Sequence, residues 1–144
     1  MLLDGKAIAD ELYAQLRERR SALGPISLGL IVIGVNPVIE QFVRIKSRAA
    51  ESLDIAIIRR DLPESASTEE AIEAVKRLSP DVHALIVQLP MPQHIDVNAV
   101  LSEIPHGKDV DVINPRHSGE KPPIEAPVAL AVVELLQRDR KSVV

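Results

Sequence analysis

Short apolar runs alternating with amphipathic segments predict an α/β chain, a three-layer α/β/α sandwich around a mostly parallel sheet. Two observations carry this prediction. The run "SLGLIVIG" (27–34) is almost continuously apolar, as a strand buried on both faces must be, and "PVIEQFVRIKSRAAESL" (37–53) follows it directly with helical periodicity. Strand followed by helix, repeated along one chain, implies right-handed crossovers between parallel strands.

The elements follow in order. Residues 5–23 carry Ile8, Leu12, Leu16 and Leu23 at helical spacing, with Asp4 available as N-cap and Gly24-Pro25 as the stop. After the first strand and its helix, "DIAIIRRDL" (54–62) predicts a second strand, and "STEEAIEAVKRLS" (67–79) a helix opened by a capping box from Ser67 to Glu70. "VHALIVQL" (82–89) predicts a third strand, and "DVNAVLSEI" (96–104) a short helix. An irregular polar loop follows over 105–123, then a helix over 126–139. The closing "KSVV" (141–144) has the composition of a strand just beginning.

A chain of 144 residues is the size of one ordinary domain and long enough to bury a core without covalent staples. It contains no cysteine, which excludes disulfides, thiolate metal sites and a cysteine nucleophile, and fits a reducing compartment, the cytoplasm. No apolar run approaches the ~20 residues needed to span a bilayer, so no membrane role is expected. The formal net charge is −4, and the basic clusters at 17–20, 59–60 and 138–141 are short and scattered, which argues against a nucleic-acid partner. The four histidines match no metal-ligand spacing, so no metal is expected. No G-x-G-x-x-G follows a strand and no G-x-x-x-x-G-K-[ST] occurs, so this chain has no nucleotide cradle of its own.

One residue is out of place. The helix over 37–53 has an apolar stripe at Ile39, Phe42, Val43, Ala50 and Leu53, and the slot one turn beyond Phe42 and Val43 is Lys46. A lysine held against an apolar surface loses hydration of its charged form, which suits its amine to acid–base or nucleophilic work. The alternative is a stem that packs while its head reaches water. Ligands of parallel sheets bind beyond the carboxyl ends of the strands, where Gln88 of "VQLPMP" and the "GVNP" turn before the lysine helix both lie. Gln88 can cap backbone groups, or hold a lysine amine or a substrate carbonyl. Asp109 and Asp111 of "GKDVDV" can cap turns, or one of them can accept two parallel hydrogen bonds from a heterocycle's amidine-like edge.

Taken together, "LDGKAIADEL", "GVNPVIEQFVRIKSRA", "VQLPMP" and "GKDVDVINP", in this order, resemble the N-terminal catalytic domain of the methylenetetrahydrofolate dehydrogenase/methenyltetrahydrofolate cyclohydrolase family, from about Leu3 to about Leu136. The resemblance implies NADP-dependent oxidation of methylenetetrahydrofolate, then hydrolysis of the methenyl product to formyltetrahydrofolate. It also implies roles. Lys46 corresponds to the lysine of a Y-x-x-x-K helix that works at the folate's bridging carbon, Gln88 to the glutamine that tunes it, and Asp111 to the aspartate that grips the pterin. Phe42, Val43, Leu89, Pro90, Asp111 and Pro127 correspond to the folate-binding surface.

The resemblance further implies a domain boundary. Residues 1–140 would form the folate-binding catalytic domain, and 141–144 would begin a nicotinamide-binding Rossmann domain absent from this chain. NADP would sit on that second domain, and the full-length protein would be a homodimer. The 144 residues alone are therefore expected to lack dehydrogenase activity, because hydride transfer needs the cofactor held against the substrate carbon. NADP reduction by this chain would overturn that expectation.

The chain departs from the family pattern at three single positions and one short segment. Phe42 replaces the tyrosine, Ile39 a serine, and Val112 a glycine, while "IEAP" (124–127) keeps only the last proline of P-C-T-P. These changes surround the folate site and leave a second reading open, a paralogue that binds folate or regulates without chemistry. A third is an unrelated parallel α/β domain.

Overall fold

The computed structural model describes residues 4–117 and 124–139. Three strands, β1 (Ile26–Ile33), β2 (Ile55–Leu62) and β3 (Ala84–Val87), form a sheet in the order β2-β1-β3 with every pairing parallel. The helices are α1 (Gly5–Arg20), α2 (Pro37–Ser52), α3 (Thr68–Leu78), α4 (Val97–Leu101) and α5 (Pro127–Asp139).

Alternation along the strands divides the core in two. Leu30 and Val32 of β1, with Ile86 of β3, point to one face and pack under Ile39 and Val43 of α2. Ile31 and Ile33, with Leu85 and Val87, point to the other and meet Ala71, Val75 and Leu78 of α3 and Val100 and Leu101 of α4. The expected sandwich is thus present, with helices covering both faces of the sheet. Gly29 on β1 lets these layers close, since a Cβ there would lie 2.7 Å from Leu85 Cδ1 and 3.0 Å from Leu78 Cδ2.

The helix starts follow local chemistry. Asp4 accepts from the N–H groups of Lys6 and Ala7, Asn36 from Val38 and Ile39, and Ser67 and Glu70 form the reciprocal capping box. Pro37 occupies the first turn of α2, where its missing N–H costs nothing.

Several boundaries differ from the sequence prediction. Helix α1 stops at Arg20, whose guanidinium turns back onto the carbonyls of Leu23 and Gly24 and reaches Asp54 O. Strand β3 is half the expected length, although the N–H of His83 to Ser27 O and of Gln88 to Ile31 O extend its hydrogen bonding at both ends. Beyond Gln88 the chain enters "LPMP", in which Leu89-Pro90 is cis and two prolines lack an N–H to donate. Helix α4 ends at Leu101 rather than 104, consistent with Pro105, which disfavours helical backbone at Ile104. Phe42, expected on the dry stripe of α2, is 52% exposed, and the buried stripe consists of Ile39, Val43 and Ala50. The strand expected at 141–144, and with it the proposed domain junction, lies outside the described residues.

Helix α2 is also tied to the sheet edge. Arg59 of β2 donates from both terminal nitrogens to the Glu40 carboxylate, at 2.5 and 3.1 Å, while its Nε and one terminal nitrogen bond Asp61. The hydrogen bonds from Arg59 hold the Glu40 carboxyl below its ordinary value. Folded protein therefore binds fewer protons at Glu40 than unfolded protein, and stability rises with pH. The contribution is fully present above the usual glutamate value of about 4.3 and is lost as pH falls through the depressed folded value. Glu40→Gln should lower the urea midpoint at pH 7, and the gap from wild type should close as pH drops below about 4. Urea titrations of both proteins across this range check it, and a gap independent of pH would be the contrary result.

Candidate active site

Strand β1 passes into α2 through Gly34, whose φ of 79° belongs to the left-handed region that glycine enters freely. The helix then runs back over the sheet and carries Lys46 to β3. There the ammonium donates to Gln88 Oε1 at 3.1 Å and to Asp111 Oδ2 at 3.3 Å. The side chains of Lys46 and Asp111 are each 30% exposed, while Gln88 is 8% exposed. The lysine's position on the apolar stripe is explained by these two partners. Its stem lies along the packed side of α2 and its charge meets a carboxylate and an amide oxygen.

Each partner is oriented by its surroundings. Gln88 Nε2 donates to Leu89 O at 2.8 Å, which turns its oxygen toward the lysine. Asp111 comes from a segment that runs beside β3 through a parallel bridge between Leu85 and Asp109. The two aspartates of "KDVD" have separate fates. Asp109 is 2% exposed, and its Oδ2 accepts from the N–H groups of Ile113 and Asn114. Asp111 remains open to solvent and to Lys46.

The remaining expected site residues are dispersed. Phe42 lies on the open surface of α2 one turn before Lys46, and Leu89 and Pro90 are exposed just after Gln88. Val43 is 4% exposed and belongs to the core under α2. Pro127 is exposed at the first turn of α5. Among the described residues, no three His, Cys, Asp or Glu side chains are placed to hold a metal ion. His94 instead hydrogen-bonds Ala66 O at 2.9 Å, and His83 Nδ1 accepts from the Ser27 N–H at 3.1 Å.

Sequence reasoning missed Lys108 as a structural residue. Its ammonium donates to the carbonyls of Ser79 and Val82, tying the Asp111 loop to the end of α3. Asp109, whose turn-capping alternative stood beside a binding role, serves in loop closure. The four- and five-residue separations from Asp109 to Ile113 and Asn114 were the available signal.

In this parallel α/β domain a lysine, a glutamine and an aspartate meet beside the end of a strand, groups chemically able to do acid–base work. The family model described as tetrahydrofolate dehydrogenase/cyclohydrolase, catalytic domain, matches residues 3–111, and the chain belongs to that family. The bifunctional protein FolD of Methanoculleus marisnigri is 40% identical over 119 residues, covering 80% of this chain and 42% of the relative. The crystal structure of the bifunctional FolD methylenetetrahydrofolate dehydrogenase/cyclohydrolase of Campylobacter jejuni superposes with a TM-score of 0.89 at 30% identity, covering 97% of this chain and 54% of that one. The Trypanosoma brucei FolD dehydrogenase-cyclohydrolase, complexed with NADP and an inhibitor, also gives 0.89, at 31% identity over 97% of this chain and 52% of that one. The chain thus spans about half the length of the relatives it matches.

Val112, at the position of the family glycine, has φ 55°. The left-handed backbone is retained although the residue is β-branched, a conformation that costs roughly 1–2 kcal/mol for an L-residue. Val112→Gly should therefore leave stability unchanged or raise it by about 1 kcal/mol, since relieved strain offsets glycine's greater chain entropy. Chemical denaturation measures this, and a loss beyond about 1 kcal/mol would show that the valine side chain contributes more than its backbone costs.

Proposed function

We propose that this chain is the folate-binding catalytic domain of a methylenetetrahydrofolate dehydrogenase/cyclohydrolase. The observation that carries the reading is the hydrogen-bonded convergence of Lys46, Gln88 and Asp111. Asp111 supplies a carboxylate for the paired N–H groups of a pterin edge, a bidentate geometry that discriminates strongly. Phe42, one turn before Lys46, offers an exposed ring for the aromatic part of the ligand, and Leu89 and Pro90 are exposed just after Gln88.

Hydrolysis of the methenyl group needs only water and this site. Water adds to the bridging carbon and loses one proton, and the resulting hydroxyl gives up its second proton as one carbon–nitrogen bond breaks, the released nitrogen taking up a proton and the formyl group staying on the other nitrogen. Lys46 serves as the acid and base for these transfers, with Gln88 holding its amine in line. Phe42 has no hydroxyl, so no proton passes through the position where the family has tyrosine.

Oxidation of methylenetetrahydrofolate requires NADP. The described residues do not fit that cofactor, since the glycine turn from β1 into α2 leads into a capped asparagine and proline rather than a glycine-rich phosphate loop. We assign NADP to a second domain of a longer protein, beginning near residue 141. The exposed apolar side chains of α5, Val128, Val132, Val133 and Leu136 among them, support that assignment as surface for another domain to cover. The same reading makes the full-length protein a homodimer of the cytoplasm that supplies one-carbon units for purine biosynthesis. Lack of cysteine and a net charge of −4 support the compartment and the absence of a nucleic-acid partner.

The test is the decay of methenyltetrahydrofolate absorbance with this chain, corrected for buffer hydrolysis, beside Lys46→Ala. Wild type should accelerate the decay, and the alanine variant should lose about 100-fold or more of that acceleration. Equal rates for both proteins and buffer would overturn the reading of this chain as a cyclohydrolase. Folate binding without turnover, persisting in Phe42→Tyr, would instead indicate a binding module.

A further inference from the structure

The Asp111 carboxylate is met by the Lys46 ammonium, yet its own backbone lies in a loop without regular structure. Something other than Asp111 has to hold that loop in place. Three side chains do so. Lys108 binds the entrance to the carbonyls of Ser79 and Val82, and Asn114 binds the exit through Nδ2 to Ile104 O at 2.8 Å. Between them, Asp109 Oδ2 accepts from Ile113 N at 3.0 Å and Asn114 N at 2.8 Å, closing a ring of backbone with Asp111 at its middle.

We propose that Asp109 is a positioning residue that presents Asp111 to Lys46 and to the ligand. The proposal rests on the folate reading for its ligand and on geometry alone for its mechanism. A carboxylate accepting two backbone N–H groups inside the protein is a strong, directional tie, because charge-assisted hydrogen bonds gain strength where water is excluded. Asp109 is 2% exposed and sits in register with Leu85 of β3, so the tie is referred to the sheet itself. The loop then leaves that point through Val110, which packs against the α2 side of the core, and Asp111 emerges beside Lys46. The left-handed backbone at Val112 completes the return to Ile113 and Asn114. A catalytic constellation held this way is set before ligand arrives, which lowers the cost of ordering it on binding.

The experiment is a double-mutant cycle between Asp109→Ala and Asp111→Ala in this full chain, each variant checked for folding by circular dichroism. Two readouts are taken: the NMR signals of the Lys46 ε-methylene, and the affinity for folic acid by calorimetry. If Asp109 acts through Asp111, removing either carboxylate should displace the Lys46 signals in the same direction, and the double variant should displace them no further. Folic acid should bind about tenfold more weakly to Asp109→Ala, but the same substitution should cost less than twofold once Asp111 is alanine. Asp109→Asn, which keeps an acceptor oxygen, should recover most of the loss, and Asp109→Ser, whose single shorter-reaching oxygen cannot span both N–H groups, replaces the alanine variant in the cycle if that one fails to fold.

Unmoved Lys46 signals in the Asp109 variant, or losses that multiply in the double variant, would overturn the positioning role. Unchanged folic acid affinity in Asp111→Ala is a different failure, that of the pterin-anchor reading, and the Lys46 signals then decide the positioning role alone.

Discussion

Strand β1 has no face for water. Leu30, Ile31, Val32 and Ile33 are all buried, alternately toward α2 and toward α3 and α4, and complete burial of side chains of this size is worth roughly 1.5–3 kcal/mol each. A strand of this kind is stable only at the centre of a sheet that is covered on both sides, which requires parallel neighbours reached by helical crossovers. The order β2-β1-β3 follows, as does the route of α2 across the sheet. The site depends on that route, because α2 brings Lys46 to the residue that follows β3.

The lysine's location illustrates how polar groups are accommodated next to such a core. Lys46 occupies a position on α2 that the helical period assigns to the apolar stripe, where an unpaired charge would be costly. It is stable there because Gln88 and Asp111 meet its ammonium, and both are supplied by segments beside β3. The same pattern appears at Lys108, whose head is taken up by the carbonyls of Ser79 and Val82 between α3 and β3, and at Asp109, which the loop backbone wraps. Lys46 and Lys108 are thus matched to hydrogen-bonding partners on segments far from them in the chain.

The departures from the family pattern have unequal structural weight. Ile39 is absorbed into the core beneath α2, so the serine's replacement adds apolar packing there. Val112 keeps the backbone geometry at the expense of strain. Phe42 keeps an aromatic surface beside Lys46 and loses only the hydroxyl, which confines its effect to hydrogen bonding and proton transfer. Helix α5 differs in kind, being apolar nearly all round from Pro127 to Leu136 yet exposed along its large apolar residues.

By itself the sequence determined the order and type of the elements and pointed to Lys46, Gln88 and the aspartate pair of "KDVD" as candidates. Strand β1 announces double burial by its uninterrupted apolar run, helix α3 announces its start by Ser67 and Glu70, and Lys46 is conspicuous because it breaks a periodic stripe. These are local signals, readable because backbone geometry imposes periods of two and 3.6 residues. Only the tertiary structure decided which aspartate of "KDVD" faces the lysine, where β3 stops, and that Phe42 lies on the open side of α2. Those outcomes depend on contacts between residues far apart in the chain, such as Lys108 with Ser79 and Leu85 with Asp109, and no local period encodes them.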